Sequence, residues 1–219
     1  MNVLLTGFEP FNKEPINSSW ESVRLLEGLS AEGAIIHTLK LPTVRGICMN
    51  KLLEGMAAWD PEVILCTGEA GGRSALSLER AAINCDDYFS PDNGGNMPVD
   101  EPIMPGGPAA YFSTLPIKKI CKDLTSLGIP AEISNTAGTF VCNHLFYSLM
   151  DFLSHSRKER LGGFIHIPYL PFQAARQPGT PSMSPETITT GLMMAISVTV
   201  RELKKPKQKY VQFPVRSDQ

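Results

Sequence analysis

The sequence has no long apolar segment and no excess of charge of one sign. Its 219 residues include 20 Lys and Arg against 22 Asp and Glu, for a formal net charge of −2. A chain so close to neutral has no general attraction for nucleic acid or for an anionic membrane. No segment is long enough for a transmembrane helix, and the N-terminus lacks the basic residues of a signal peptide. We therefore expect a cytoplasmic protein without nucleic-acid or membrane partners.

Cysteine is scarce and its spacing is irregular. The five cysteines are Cys48, Cys66, Cys85, Cys121 and Cys142. An odd number of widely spaced cysteines without a CxxC pair argues against a disulfide framework and against a structural zinc site. Free thiols fit a reducing compartment. Apolar or strand-like neighbours predict that four of them are packing residues, which leaves Cys142 for separate consideration.

Several motifs that would identify a cofactor or a catalytic class are missing. The glycine-rich segment 67–73 is not followed by Gly-Lys-Ser/Thr and lacks the GxGxxG spacing, so it predicts neither a P-loop nor a dinucleotide site. There is no Gly-x-Ser-x-Gly elbow and no HExxH sequence. The sequence therefore predicts no cofactor and no metal.

The residues that are present alternate between strand-like and helix-like patterns. Strands are predicted at 2–6, 34–41, 63–66, 76–84, 131–134 and 162–168, and helices at 17–26, 45–58, 116–127, 142–152 and 184–203. This alternation predicts a single α/β domain over residues 1–203 with a mainly parallel sheet. Residues 204–219 form a basic, polar C-terminal tail. The segment 86–108, rich in Asp, Asn, Gly and Pro, predicts a long functional or mobile loop.

Cys142 lies at a predicted helix start. Small, turn-prone residues occupy 134–138, and Thr139 is a plausible N-cap that places Cys142 in the first helical turn. Unpaired backbone N–H groups and the positive end of the helix dipole favour a thiolate there. Cys142 is therefore a candidate nucleophile. The alternative interpretation is a buried packing cysteine, because free cysteine is among the most buried residue types.

A cysteine nucleophile commonly works with a histidine base, and the chain has four histidines. His144 follows Cys142 by two residues and projects from roughly the opposite side of the helix, so a surface or capping role is favoured. His37 lies in an apolar strand and His155 in a polar segment. His166 remains, near the carboxyl end of its strand; the alternative for it is a hydrogen-bonded core histidine.

Sites in parallel α/β folds gather at the carboxyl ends of strands. The Phe8 loop, the Gly68 loop and His166 are all predicted at such ends, and the Cys142 turn follows another strand. This convergence favours a joint role for Cys142 and His166.

Glu79 is the best candidate for a third group that orients the base. It lies amid apolar residues in a predicted strand and needs a partner if buried. Arg80 points to the opposite face of that strand, so another partner is expected. Asp86 and Asp87 are alternatives, although their loop context favours turn or surface roles.

These residues carry a resemblance to a known family. The segments are Ser-Asn-Thr-Ala-Gly-Thr-Phe-Val-Cys-Asn-His-Leu-Phe-Tyr (134–147), Gly-Glu-Ala-Gly-Gly-Arg (68–73), Glu-Arg-Ala-Ala-Ile-Asn (79–84), Gly-Phe-Ile-His-Ile-Pro (163–168), Thr-Gly-Phe-Glu-Pro-Phe (6–11) and Asn-Ser-Ser-Trp-Glu (17–21). Together they resemble pyroglutamyl peptidase I, a family of cytosolic, commonly tetrameric cysteine peptidases. The match extends from about residue 2 to residue 200.

The resemblance implies a three-layer α/β/α sandwich and removal of an N-terminal pyroglutamyl residue from peptides. It implies Cys142 as nucleophile, His166 as base and Glu79 as the orienting acid, in agreement with the elimination above. It further implies a pocket for the pyrrolidone ring and a residue supporting the loop beside it. The pocket residues are Phe8, Phe11, Thr43, Phe140 and Val141, and the supporting residue is Asn17.

Three features depart from the family pattern. Phe89 replaces an arginine that usually precedes the Pro-Asp-Asn of the long loop, Glu69 stands where an uncharged residue is common, and the basic tail is longer than usual. Two alternatives to a pyroglutamyl peptidase therefore remain open at this stage. One is a nucleoside-phosphorylase-like protein that binds an anion at the Gly68 loop, and the other is a catalytically weak paralogue with a binding role.

Overall fold

The computed structural model describes residues 1–206. The strands are β1 (Asn2–Phe8), β2 (Ser30–Ala31), β3 (Ala34–Leu41), β4 (Val63–Glu69), β5 (Leu76–Glu79), β6 (Ala81–Ile83), β7 (Ala110–Phe112), β8 (Ala131–Ser134) and β9 (Leu161–Ile167). The helices are α1 (Ser18–Val23, continued by a 3₁₀ turn at Arg24–Leu26), α2 (Ile47–Trp59), α3 (Ile117–Ser126), α4 (Val141–Ser154), α5 (Pro171–Ala174) and α6 (Pro185–Leu203). The expected tail lies outside the described residues from residue 207 onward.

The main sheet is mixed, with seven strands in the order β2-β3-β1-β4-β9-β5-β8. Strands β3, β1, β4 and β9 are mutually parallel, whereas β5 is antiparallel to β9 and parallel to β8. The prediction of a mainly parallel sheet in one α/β domain is confirmed. The assumption that β8 shares the direction of the other strands is wrong, so the Cys142 turn does not follow a strand end at the common carboxyl edge.

Helices cover both faces of the sheet, which confirms the three-layer sandwich. Alternate strand residues point to opposite faces. Val3, Val63 and Ile165 belong to one apolar layer, with residues of α1, α3 and α6. Leu4, Ile64 and Phe164 belong to the other, with residues of α2 and α4. We call this second side of the sheet the α4 face.

The predicted strand 76–84 is two strands in different sheets. The chain turns at Arg80, whose N–H donates to the Ser134 carbonyl and whose carbonyl accepts from the Ser113 N–H. Beyond this turn, β6 pairs with β7, a strand that the sequence pattern did not predict. The break lets Ala82 pack into the apolar layer of the α4 face while Glu79 stays in the main sheet.

The predicted starts of α1 and α6 coincide with side-chain caps, whereas the predicted cap of α4 is wrong. Asn17 caps α1 and Ser184 caps α6, each accepting a hydrogen bond from a first-turn N–H. The N-cap residue of α4 is Phe140, not Thr139, and no side chain caps this helix. The Thr139 hydroxyl instead donates to the Asp87 carbonyl at 2.6 Å. This bond ties the long loop 86–108 to the start of α4.

Among residues 1–206, no helix combines the length and the apolar composition needed to cross a membrane.

Candidate active site

The two-residue period of the strands brings the candidate residues together on the α4 face. Gly68 of β4 lies beside His166 of β9, and Ser77 of β5 lies on the other side of His166. Glu79 follows Ser77 by two residues and therefore points to the same face. Helix α4 packs on this face and carries Cys142 as its second residue.

His166 and Glu79 form a buried pair. His166 Nδ1 lies 2.7 Å from Glu79 Oε1, and both side chains are buried. Arg73 Nη1 donates to the same Glu79 oxygen at 2.8 Å. Burial by itself would raise the pKa of Glu79, but the hydrogen bond and charge of His166, with the bond from Arg73, hold that pKa below its usual value. Glu79 is therefore a carboxylate, and the expectation that its partner is not Arg80 is correct.

The Cys142 thiol lies against a glycine. A Cβ on Gly68 would be 2.8 Å from Cys142 Sγ and 2.9 Å from Phe164 Cζ, closer than such atoms approach. Only a residue without a side chain at position 68 leaves the thiol in its place. The sequence predicts a turn at Gly68 but not this steric role, because Cys142 is distant in the chain.

The electrostatics of Cys142 differ from the expectation of a ready thiolate. Burial, together with the charges of Glu79 and Glu69, raises the pKa of Cys142 to about 12. These effects outweigh the helix start, because removing a thiolate from water is costly. In the described residues no hydrogen bond joins the thiol to His166. A thiolate at this position therefore needs a base that takes its proton during the reaction.

Three of the proposed pocket side chains, Phe8, Phe140 and Val141, belong to the apolar layer of the α4 face, and Phe11 contacts Phe140. Phe8 and Val141 are fully buried in its apolar layer. Phe11 and Phe140 are half-buried and their ring centroids are 4.9 Å apart. The structure therefore brings Phe11 and Phe140 into contact next to Cys142, while Phe8 and Val141 lie deeper.

Thr43 and Asn17 act on the loop that carries Phe11. The Thr43 N–H donates to Glu9 Oε1 at 3.0 Å, and its hydroxyl donates to the Glu9 carbonyl at 3.2 Å. Asn17 Nδ2 donates to the same carbonyl at 3.2 Å. Both side chains thus hydrogen-bond to the backbone just before Phe11, and the roles expected for Thr43 in the pocket and for Asn17 as a support stay predictions.

Three aromatic rings contact the ring of Phe140, which makes a cluster of four. Its centroid lies 4.9 Å from Phe11, 4.6 Å from Tyr88 and 5.2 Å from Phe89. We call these four residues the aromatic cluster. Tyr88 is 3% exposed and Phe89 is 77% exposed. Phe89 departs from the family pattern, and no sequence pattern predicts its contact with Phe140.

A second buried histidine–carboxylate pair involves His144, which lies on the same helix as Cys142. His144 Nδ1 is 2.8 Å from Asp86 Oδ2, and His144 Nε2 accepts a hydrogen bond from the Gly46 N–H at 3.1 Å. Arg45 Nε donates to the same Asp86 oxygen at 2.7 Å. The expected surface or turn role of Asp86 is wrong, because its side chain is fully buried. His144 is buried as well, but it does cap a helix: it accepts from the N-cap residue of α2.

Other groups near the site were not predicted as functional. Arg73 contacts Glu79, and Glu69 Oε2 accepts from the Ser18 N–H at 2.7 Å and from Gln173 Nε2 at 2.8 Å. No sequence motif links Glu69 to Ser18 or Gln173, which are 51 and 104 residues away. Between residues 1 and 206, no group of three or more His, Cys, Asp or Glu side chains is arranged to hold a metal ion. The arrangement can support nucleophilic chemistry by a thiol with a histidine acid–base.

Comparisons with known proteins agree with this chemistry. A family model described as pyroglutamyl peptidase matches residues 1–202. Pyrrolidone-carboxylate peptidase 1 of Ralstonia nicotianae is 53% identical over 199 residues, which cover 91% of this chain and 93% of the relative. The crystal structure of pyroglutamyl peptidase I from Bacillus amyloliquefaciens superposes with a TM-score of 0.89 at 48% identity, covering 91% of this chain and 97% of that one. A mutant pyrrolidone carboxyl peptidase from Pyrococcus furiosus gives a TM-score of 0.89 at 42% identity, covering 93% and 100%. The chain belongs to the pyroglutamyl peptidase family.

Proposed function

We propose that this chain is a cysteine peptidase that removes the N-terminal pyroglutamyl residue from peptides, with Cys142 as nucleophile, His166 as acid–base and Glu79 as the group that orients His166. Family membership supports the reaction. The observation that carries the residue roles is the buried 2.7 Å contact between His166 Nδ1 and Glu79 Oε1, on the face of the sheet where α4 presents Cys142.

The contact between His166 Nδ1 and Glu79 determines which nitrogen of His166 exchanges protons with the reacting groups. Because Glu79 is a carboxylate, the neutral imidazole of His166 donates its Nδ1 hydrogen to it, so Nε2 is the nitrogen that can accept a proton. His166 Nε2 takes the thiol proton as Cys142 Sγ attacks the pyroglutamyl carbonyl carbon. The raised pKa of Cys142 makes this transfer necessary, since few thiolates exist beforehand.

The start of α4 supplies hydrogen-bond donors for the oxyanion. The first intrahelical bond runs from the His144 N–H to the Phe140 carbonyl. The N–H groups of Val141, Cys142 and Asn143 therefore have no acceptor within the helix. Donors aimed at a developing oxyanion are worth roughly 3 kcal/mol each in comparable sites. The intermediate collapses as His166 gives its proton to the departing amine, which leaves a thioester on Cys142.

Water then completes the reaction. His166 Nε2 accepts a proton from a water molecule, whose oxygen attacks the thioester carbonyl carbon. The C–S bond breaks, pyroglutamic acid leaves, and the proton on His166 returns to the Cys142 sulfur. Each step uses the same histidine nitrogen, so one oriented imidazole serves both halves of the reaction.

The proposed pocket fits a lactam rather than a free amino terminus. A pyrrolidone ring is flat and uncharged, so it needs apolar walls and backbone hydrogen bonds, not a carboxylate for an ammonium group. Phe8, Phe11, Phe140 and Val141 provide apolar surface near Cys142, and Thr43 with Asn17 holds the loop that carries Phe11.

The anion-binding alternative is less compatible with the geometry. The Glu69 carboxylate, which directly follows Gly68 in the chain, already accepts a hydrogen bond from the first N–H of α1, where an anion would otherwise bind.

From the family resemblance alone we also propose that the protein is a cytoplasmic homotetramer and that its domain ends near residue 203.

The decisive experiment measures release of a fluorescent amine from a pyroglutamyl amide. We expect Cys142→Ser to abolish turnover, because a serine hydroxyl is far harder for His166 to activate. Cys121→Ser is the matched control, since Cys121 lies on α3 on the opposite side of the sheet. Wild-type turnover by the Cys142→Ser variant would exclude the proposed mechanism.

A further inference from the structure

Phe89 is exposed in a place where an apolar ring is costly to leave in water. At 77% exposure it exceeds all other large hydrophobic side chains in residues 1–206. Its ring is not on a remote surface, because its centroid lies 5.2 Å from that of Phe140, the N-cap residue of the nucleophile helix. With Phe11 and Phe140 it forms a contiguous apolar surface and not an isolated exposed side chain, and such a surface indicates a binding site.

The backbone around Phe89 is fixed to the start of α4. The Asp87 N–H donates to the Thr139 carbonyl at 3.1 Å, and the Thr139 hydroxyl donates back to the Asp87 carbonyl at 2.6 Å. On the other side, the Tyr88 N–H donates to the Pro98 carbonyl at 2.9 Å. The two residues before Phe89 are therefore hydrogen-bonded to Thr139 and to Pro98, which holds Phe89 beside Phe140 without any rearrangement.

Phe140 separates a buried side of the aromatic cluster from an open side. Tyr88 lies on the buried side, at 3% exposure in the same apolar layer as Phe8 and Val141. Phe89, the next residue, lies on the open side. In a peptide whose first residue is buried among Phe8 and Val141, the following residue must leave toward solvent, past the open side of Phe140.

We propose that Phe89, with the outer face of Phe140, forms a subsite for the side chain of the second residue of the substrate, and that it favours apolar and aromatic side chains there. This inference rests on the proposed function. Aromatic rings gain about 0.5–1.5 kcal/mol from each other beyond the area that they bury. The exposed carboxylate of Asp87, two residues before Phe89, opposes an acidic second residue.

The test compares amides of dipeptides that share the pyroglutamyl residue and differ in the second. Substrates with Phe, Ala and Asp at that position are hydrolysed, and the freed α-amine is quantified to obtain kcat/KM. We expect the wild type to prefer Phe over Ala about tenfold, and Asp to be the poorest. In Phe89→Ala the Phe-to-Ala ratio should fall to about one, while kcat/KM for the Ala substrate stays within about twofold.

Two further variants complete the design. Phe89→Leu keeps an apolar wall and should retain part of the preference. Phe112→Ala removes a comparably exposed phenylalanine, at 70%, from β7 and should leave the ratio unchanged.

The possible outcomes separate this inference from the proposed function. An unchanged Phe-to-Ala ratio in Phe89→Ala overturns the subsite. An equal loss on all substrates also overturns it, because Phe89 would then serve the pyroglutamyl ring or the fold. Failure of the wild type to cleave the pyroglutamyl-alanine amide overturns the proposed function itself, and the subsite with it.

Discussion

Gly68 contributes to the candidate site by having no side chain. Residues usually recognised in a catalytic site carry reactive atoms, whereas here an absent Cβ leaves room for the Cys142 sulfur and for the ring of Phe164. The neighbouring ring of Phe164 in turn packs against His166, with centroids 4.9 Å apart. One methyl group at position 68 therefore disturbs nucleophile and base together.

We expect Gly68→Ala to lower kcat about a hundredfold, because displacing a reacting group by about 1 Å has effects of that size. Overpacking should also cost about 1–3 kcal/mol of unfolding free energy. Steady-state kinetics and urea unfolding measure the two effects. Gly162→Ala is the control: its methyl would meet the end of the Leu153 side chain, which can rotate away, far from the thiol. A Gly68→Ala enzyme with normal kcat would contradict the steric role.

Most elements could be predicted from the sequence because their patterns are local. Helix starts at Asn17 and Ser184 depend on side chains within three residues, and both are confirmed. The start of α4 was misassigned because Thr139 bonds to Asp87, 52 residues away. The burial of Asp86 was missed for the same reason, since its partners Arg45 and His144 come from two other elements.

The Asp86–His144 pair joins three elements around the site. It links α4, through His144, to the N-terminus of α2, through Gly46 and Arg45, and to the beginning of the 86–108 loop. His144 and Cys142 lie on the same helix two residues apart and so face different partners. We therefore assign this pair to holding the elements together and the His166 pair to the chemistry.

Replacing His144 and His166 with alanine, one at a time, should separate the structural role from the catalytic one. His144→Ala leaves the Gly46 N–H without its acceptor and the buried Asp86 with one donor fewer, so we expect it to cost about 2–3 kcal/mol of stability. His166→Ala takes one donor from the buried Glu79, which keeps its bond from Arg73, and leaves no backbone N–H without an acceptor, so it should cost less stability but abolish turnover. Denaturant unfolding gives the first quantity, and kcat measured at low temperature, where both variants are folded, gives the second. If folded His144→Ala is as inactive as His166→Ala, the assignment is wrong.

On the scale of the whole molecule, the candidate site lies where the sheet changes direction. His166 is on β9, the last of the parallel strands, and Glu79 is on β5, which is antiparallel to it. Apolar strand patterns predict burial and face but not direction, because parallel and antiparallel neighbours bury the same side chains. The sequence therefore predicts the fold class and indicates the burial of Glu79, but not the reversal between its strand and that of His166.

Whole-molecule stability should decrease in acid. Hydrogen bonds from the backbone N–H groups of Arg45, Asn96 and Gly94 overcome the effect of burial and lower the pKa of Asp92. A lowered pKa in the folded state means that this stabilisation is complete above the unfolded-state pKa of about 3.9 and is lost as the pH falls through the folded-state pKa. Glu79 acts in the same direction.

We expect the unfolding free energy to fall as the pH is lowered from about 6 to 3. Asp92→Asn should reduce stability at pH 6 by about 1–2 kcal/mol and weaken the pH dependence, because one of the titrating groups is gone. Thermal unfolding across this pH range measures both. Asp100→Asn, exposed in the same loop, controls for the loss of one negative charge. A pH dependence as steep in Asp92→Asn as in the wild type would refute the role of Asp92.

The strand order also has a consequence for a chain that is still being synthesised. Strand β9 is the last strand of the described chain, yet it lies in the sheet between β4 and β5, which are made much earlier. Glu79 leaves the ribosome long before Cys142 and His166. A nascent chain therefore contains the orienting acid without nucleophile or base, and its sheet has a gap until β9 inserts. The growing polypeptide is therefore inactive until β9 has emerged, when only α5 and α6 of the described helices remain to be made.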